Sequence, residues 1–372
     1  MQITQRFQAL DVFRGLTICL MIIVNTPGDG SFTFAPLHHA KWHGFTPTDL
    51  VFPSFLFAVG NAMSFVMGKW AEKTTAAVLT KIFKRTLLIF LLGYLMYWFP
   101  FVNNDNGHWA LSPISQTRIL GVLQRIALCY CFGSLICYFF KTKAILVFSA
   151  GLLLLYWGLC FWLGDPADPL SLQGNAGLKL DLWLMGEAHL YHGEGVAFDP
   201  EGWLSTLPAI VNVIGGFLVG KHLQQNGHTY EGLTKLLLAG FLLLIIAYCW
   251  NFIFPINKKL WTSSFVLQTV GLDCMIIAAI TYLTDFKQRR SWAWFFEVAG
   301  KNPLTIYLLS ELLVTVLYMV NIGDSSLFNW IFQHPFSYAP DYWASLLFAI
   351  SYMLLCWLVG YWMDKKKIYL RV

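Results

Sequence analysis

Apolar runs of about 20 residues recur along nearly the whole chain, each long enough to cross a bilayer core of roughly 30 Å as a helix. A transmembrane barrel would show weak alternation in shorter pieces, so the spans are helices. Composition agrees: 57% of the 372 residues are hydrophobic and 12% charged, against roughly 25% charged in soluble domains. The expected fold class is all-α, a polytopic membrane protein of about ten transmembrane helices. They are read at 9–26, 47–68, 82–100, 118–140, 144–163, 203–221, 233–253, 262–284, 303–321 and 343–363. No soluble domain, low-complexity stretch or tandem repeat interrupts them, so 1–372 reads as a single membrane domain. The first span carries Asp11 and Arg14 with no small-residue cleavage site behind it, and is expected to remain in the mature protein.

An even number of spans puts both termini on one side, and the positive-inside rule says which. Lys69, Lys73, Lys81, Lys84 and Arg85 lie between helices two and three, Lys141 and Lys143 after four, and Lys221 and Lys235 after six. Lys287, Arg289 and Arg290 follow helix eight, and Lys365, Lys366, Lys367 and Arg371 stand at the tail. These connections, and both termini, are expected in the cytoplasm. The connection from Gly164 to Gly202 sets Asp165, Asp168, Asp181, Glu187, Glu194, Asp199 and Glu201 against a single Lys179, and faces outward. Residues 291–302, SWAWFFEVAGKN, are too short to span and too apolar for a free loop; an interfacial helix fits them.

All eight cysteines lie in or beside apolar spans, without CxxC pairs or His/Cys ligand spacing, so neither disulfides nor a metal site is expected. The net charge of +5 sits at span ends where it anchors topology, which removes nucleic acid as a partner.

Titratable groups at a membrane mouth are costly to desolvate and need a reason. His38, His39, His43 and Asp49 are clustered between helices one and two, beside Trp42. Asp49 follows Pro47 in the first turn of helix two, where it can orient a histidine. On the first helix Asp11, Arg14, Ile18, Ile22 and Asn25 share one face, and Asn25 lies roughly 21 Å along the axis from Asp11, at the depth of the histidines. Two readings stand for each group. Asn25 makes an interhelical hydrogen bond or takes part in chemistry, and the histidines with Trp42 form an interfacial belt or a base.

LDVFRGLTICLMIIVN followed by HAKWHGFTPTDLVFPSFLFAVG resembles the start of the membrane domain of the heparan-α-glucosaminide N-acetyltransferase family. TRILGVLQRIALCY, DPEGWLSTLPAI, NKKLWTSSFVL and GKNPLTIYLLSELL extend the resemblance over essentially the whole chain. It implies a multi-pass enzyme that takes acetyl groups from cytoplasmic acetyl-CoA and delivers them to the amine of a glucosamine unit across the membrane. The family's active-site histidine maps onto His39, its functional asparagine onto Asn25, and the aspartate of its Asp-Leu-Val-Phe-Pro segment onto Asp49. On this resemblance the chain is expected to lack the additional N-terminal portion and helix of lysosomal members. A bacterial member in the inner membrane, with its site on the periplasmic side, is expected, and the heparan substrate is not inherited. A homodimer is the implied assembly.

The chemistry suits these residue types. An amine attacks a thioester only when unprotonated, and a histidine is the side chain that ordinarily titrates near neutrality. His39 is given the proton, Asp49 the tautomer, and Asn25 the developing oxyanion; transfer through an acetyl-histidine is the other open route. Arg118, Gln124 and Arg125 at the start of helix four, Lys258, Trp261 and Ser264 near helix eight, and Lys301 and Asn302 before helix nine are the candidate acetyl-CoA contacts. For Arg125 a buried ion pair with Asp273 or Glu311 is the competing reading. Glu201 and Trp42 are candidates for the sugar, with a solvated loop carboxylate the alternative for Glu201. An amino-sugar secondary transporter, using Asp273 and Glu311 for proton coupling, is the rival account of the chain, and a noncatalytic scaffold is a third.

Overall fold

A computed structural model describes residues 8–70, 72–105 and 108–370, and these are helical nearly throughout. Long helices fall where the apolar runs do: α1 (Gln8–Asn25), α2 (Pro47–Met67), α3 (Thr75–Trp98), α4 (Val122–Phe139) and α5 (Thr142–Leu163). After the short α6 (Ala176–Met185) come α7 (Trp203–Asn226), α8 (Tyr230–Asn251) and α9 (Ser263–Thr281). The short α10 (Ala293–Lys301), α11 (Pro303–Met319), the short α12 (Leu327–Gln333) and α13 (Asp341–Lys365) complete the order. Strands among the described residues are two small hairpins, Val102–Asp105 with His108–Leu111 and Asn321–Ile322 with Ser325–Ser326.

Eight of these helices are long and apolar enough to cross a membrane, and α10 with α11, bent by 80° at their junction, make a ninth. The remaining long helix, α3, starts at Thr75 because Thr74 caps it, accepting from the Ala77 amide. Its early turns therefore carry Lys81, Lys84 and Arg85, leaving a short apolar remainder. α4 begins at Val122, later than expected, because Gly121 ends the preceding loop in an extended conformation, φ 175°.

The helices belong to two compact units. The first comprises the described chain up to His39, Thr46–Phe55 and the chain from Ala279 onward; the second comprises Ala40–Phe45 and Leu56–Ala278. In the first, α1 and α10 meet backbone to backbone: a Cβ at Gly15 would overlap the Phe296 carbonyl, and one at Gly300 the Asp11 carbonyl. The segment expected to lie in the interface is thus a packed half-helix, with Val298, Ala299 and Gly300 buried. In the second, α2 and α7 approach in the same way, Gly60 against the Val213 carbonyl and Gly216 against the Phe57 carbonyl. In lipid, such close approach through small residues supplies dispersion contacts that burial from water cannot.

Candidate active site

Thr46-Pro47-Thr48-Asp49 opens α2 as a capping arrangement. Asp49 reaches back so that its Oδ2 accepts the Thr46 amide at 2.9 Å and the Thr46 hydroxyl at 3.0 Å. Its other oxygen, Oδ1, lies 2.7 Å from Nδ1 of His39. The carboxylate is buried, whereas the His39 side chain is 43% exposed. A buried carboxylate needs donors, and here the helix start supplies them. With Nδ1–H donating to Asp49, Nε2 is the basic nitrogen of the ring. The Thr46 hydroxyl is also 2.7 Å from the His38 carbonyl, and its single proton can serve one acceptor at a time. Thr46→Val keeps the amide donor and loses the hydroxyl; because hydrogen bonds to charged groups are worth about 1.5–3 kcal/mol, kcat is expected to fall roughly tenfold or more. Thr46→Ser should restore it, and a steady-state assay of both variants checks the pair.

Asn25, the last residue of α1, is exposed and its Nδ2 donates over 3.4 Å to Oε1 of Glu311 on α11. Lys301 and Asn302, at the junction of α10 and α11, are engaged. Lys301 pairs with Asp364 at 3.0 Å and Glu297 at 3.4 Å. Asn302 donates to the Ile368 carbonyl and accepts the Leu370 amide, tying down the tail.

The second unit holds a polar cluster built on the loop before α4 and the loop before α7. Nε and Nη2 of Arg118 donate to the two oxygens of Asp199 at 2.9 and 2.7 Å, and Nη2 also donates to Glu201 at 2.7 Å. Tyr97 and Tyr191 place their rings 4.9 and 4.7 Å from the guanidinium carbon. Burial pushes Asp199 up against the pull of Arg118. Glu201, which burial would raise, is carried below its usual range by Arg118, Arg125 and the half-buried Lys258. Glu201 is therefore a buried ion-pair partner and not a solvated loop carboxylate.

Arg125, fully buried on α4, donates from Nη2 to the Gly202 carbonyl and the Ser205 hydroxyl. Its hydrogen bonds thus go to neutral oxygens, not to a carboxylate, and its Nε and Nη1 find no hydrogen-bond partner among the described residues. The same holds for both amide atoms of the buried Gln124. The Trp261 ring lies 4.9 Å from the Arg125 guanidinium carbon, and its backbone sits in the left-handed region at φ 56°. For a bulky side chain that conformation is strained; Trp261 is fixed by donation from its Nε1 to Oδ1 of Asn212 at 3.0 Å. Ser264 spends its hydroxyl on the Phe254 carbonyl at 2.6 Å. Trp42, half-buried, donates to the Leu170 carbonyl at 2.9 Å and packs on Phe198. Burial lowers His43, against the opposing charge of Asp168, and its Nδ1 lies 3.3 Å from Nδ2 of Asn257.

Asp181 of α6 caps α7, accepting the Trp203 amide at 3.0 Å, and a Cβ at Gly202 would collide with it. Burial pushes its carboxyl up to about 7, with Asp199 adding to the rise and the Trp203 amide and Arg125 opposing it. An unfolded carboxyl ionises near 4, so the unfolded state loses its proton first. Stability from this group is complete below about pH 4 and is lost as pH rises towards 7. Asp181→Asn keeps the acceptor and cannot ionise. The melting temperature of the variant relative to the parent should climb between pH 4 and 7 and then level off; a difference that is flat with pH would contradict the assignment.

Residues 6–173, which include Asn25, His39, Asp49 and the Arg118 to Arg125 stretch, match the sequence profile for heparan-α-glucosaminide N-acetyltransferase, catalytic. The mouse (Mus musculus) heparan-α-glucosaminide N-acetyltransferase is 29% identical over 83% of this chain and 54% of its own length. For the human (Homo sapiens) enzyme of that name the values are 28%, 82% and 53%. The chain is similar to these acetyltransferases over most of its own length. It spans about half the length of the curated relatives it matches.

Sequence reading alone reached His39 and Asp49, and passed over Thr46, Asp199 and Ser205. The capping pattern Thr-x-x-Asp was the available signal for Thr46. Asp199 stands in the same DPEGW segment as Glu201, but its pairing with Arg118 joins residues 81 apart, which no local pattern reveals.

Proposed function

We propose that the chain is a transmembrane acetyltransferase moving the acetyl group of cytoplasmic acetyl-CoA to the amine of a glucosamine-type sugar on the outer face. One observation carries this reading: an exposed imidazole held 2.7 Å from a buried, helix-capping carboxylate, within a segment that matches the acetyltransferase profile. His39 Nε2 takes a proton from the amine as its nitrogen attacks the thioester carbonyl. Asp49 stabilises the imidazolium so formed, and the Asn25 amide donates to the oxyanion. Collapse breaks the C–S bond, and the imidazolium returns its proton to the departing thiolate. An acetyl-histidine route uses the same groups, with the imidazole as nucleophile.

Arg125 and Gln124 retain unclaimed polar atoms and, with Lys258 and Trp261, are our choice for the co-substrate. Arg118, Ser264, Lys301 and Asn302 have their polar atoms engaged and would act through structure. Arg118 positions Glu201; that carboxylate and Trp42 remain our choice for the sugar. The whole chain would work as one catalytic domain in the inner membrane of a bacterium, as a homodimer, with α3 as the tenth span and both termini cytoplasmic. The test is a proteoliposome assay with radiolabelled acetyl-CoA on one face and a panel of glucosamine mono- and oligosaccharides on the other. Labelled N-acetyl product formed across the membrane is expected. Accumulation of unmodified sugar without acetylation would favour a permease.

A further inference from the structure

In the second unit α5 and α8 lean on α7 and leave a cavity of about 730 Å³ between them, floored by α7 and α9. Small side chains line it from both walls, Ala150 on α5 and Ala239 on α8, and both are exposed. The space is open along one side and its lining is almost wholly apolar, so it offers water few hydrogen-bond partners. A hydrocarbon occupant suits it. The walls agree, since among the eight single-helix spans α5 and α8 bury the smallest shares of their residues.

The two ends of the cavity differ. Trp250 closes one. Lys235 and His222 line the other, where Lys221 reaches Thr142 at the start of α5, between Lys141 and Lys143 in sequence. Glu231 is the acidic group there; it pairs with Lys235 at 2.5 Å, both exposed, and leaves that end with a surplus of lysines. His222 donates its Nε2–H to the Gly232 carbonyl at 2.8 Å, which fixes the start of α8 against the end of α7. Along α8 the distance from Lys235 to Trp250 is about 22 Å, more than the roughly 15 Å depth of one leaflet's hydrocarbon. A chain entering at the lysines can run the full leaflet and pass the midplane.

We propose that this groove is a phospholipid site, in which one acyl chain of an anionic glycerophospholipid lies between α5 and α8 with its phosphate at Lys235 and the neighbouring lysines. Bulk annular lipid would fill the groove without regard to headgroup. A built site selects charge.

Detergent-purified, delipidated protein titrated with dioleoylphosphatidylglycerol or dioleoylphosphatidylcholine, and read by native mass spectrometry, tests this. One phosphatidylglycerol should be retained, at about tenfold lower concentration than phosphatidylcholine. Lys235→Gln should shrink that preference and leave phosphatidylcholine binding unchanged. Ala239→Trp and, from the opposite wall, Ala150→Trp should abolish retention of both lipids. Equal retention of the two lipids by the parent, or undiminished retention by both tryptophan variants, would overturn the proposal. So would a copper-induced cross-link between two copies carrying Ala239→Cys that the parent does not form, because a second copy would then cover the groove. None of these readouts depends on acetyl transfer.

Discussion

Replacing His39 by alanine is expected to lower acetyl transfer by roughly 10²–10⁴-fold, the span that a positioned general base contributes, or to abolish it if the imidazole is the nucleophile. The protein itself should fold normally. The His39 side chain is 43% exposed, and Asp49 keeps the Thr46 amide and hydroxyl as donors when the imidazole is gone. Turnover measured beside thermal unfolding in detergent separates the two effects. Asp49→Asn provides the companion test: with an amide in place of the carboxylate, Nδ1–H loses its charged acceptor and the imidazolium its counter-charge, so kcat should fall while KM for acetyl-CoA changes little. A His39→Ala protein that turns over at the parent rate would remove the imidazole from the mechanism.

Arg118→Ala should be the most destabilising substitution in the second unit. It strands Asp199 and Glu201, both buried, and breaking such a pair from one side costs about 3–5 kcal/mol. In melting temperature that is a fall of roughly 10 °C. Arg118→Lys should recover little, because a point charge cannot reproduce the fork of Nε and Nη2 on Asp199. Adding Asp199→Asn and Glu201→Gln to Arg118→Met should recover much of the loss, since the stranded charges are then gone. Unfolding followed by tryptophan fluorescence across the series reads all three. An Arg118→Ala protein as stable as the parent would mean that the carboxylates find water or other donors.

The spans were legible in the sequence because hydropathy and length act locally. All ten apolar segments are helices, and their ends moved where a cap or a glycine outweighed hydropathy, as at Thr74 before α3 and Gly121 before α4. The helix over Ala293–Lys301 was legible as a helix and not as a packed one, because its burial depends on glycines facing each other from α1 and α10, far apart in the chain. The candidate site divides in the same way. His39 and Asp49 lie ten residues apart and one capping turn joins them, so a local reading could pair them. Asn25 and Glu311 are 286 residues apart, and their contact is visible only in the fold. Arg118 reads in the sequence as a candidate acetyl-CoA contact; in the fold its fork is engaged by Asp199 and Glu201, carboxylates that only tertiary structure brings near.

Coupled release of CoA and formation of N-acetylglucosamine by purified protein in detergent, with no vesicle present, is the most direct measurement. The account predicts that each CoA set free is matched by one acetylated amine, that omission of glucosamine stops multiple turnover, and that His39→Gln does neither. Absence of acetylated product from folded, lipid-supplemented protein, together with uptake of intact glucosamine once the protein is returned to vesicles, would contradict it.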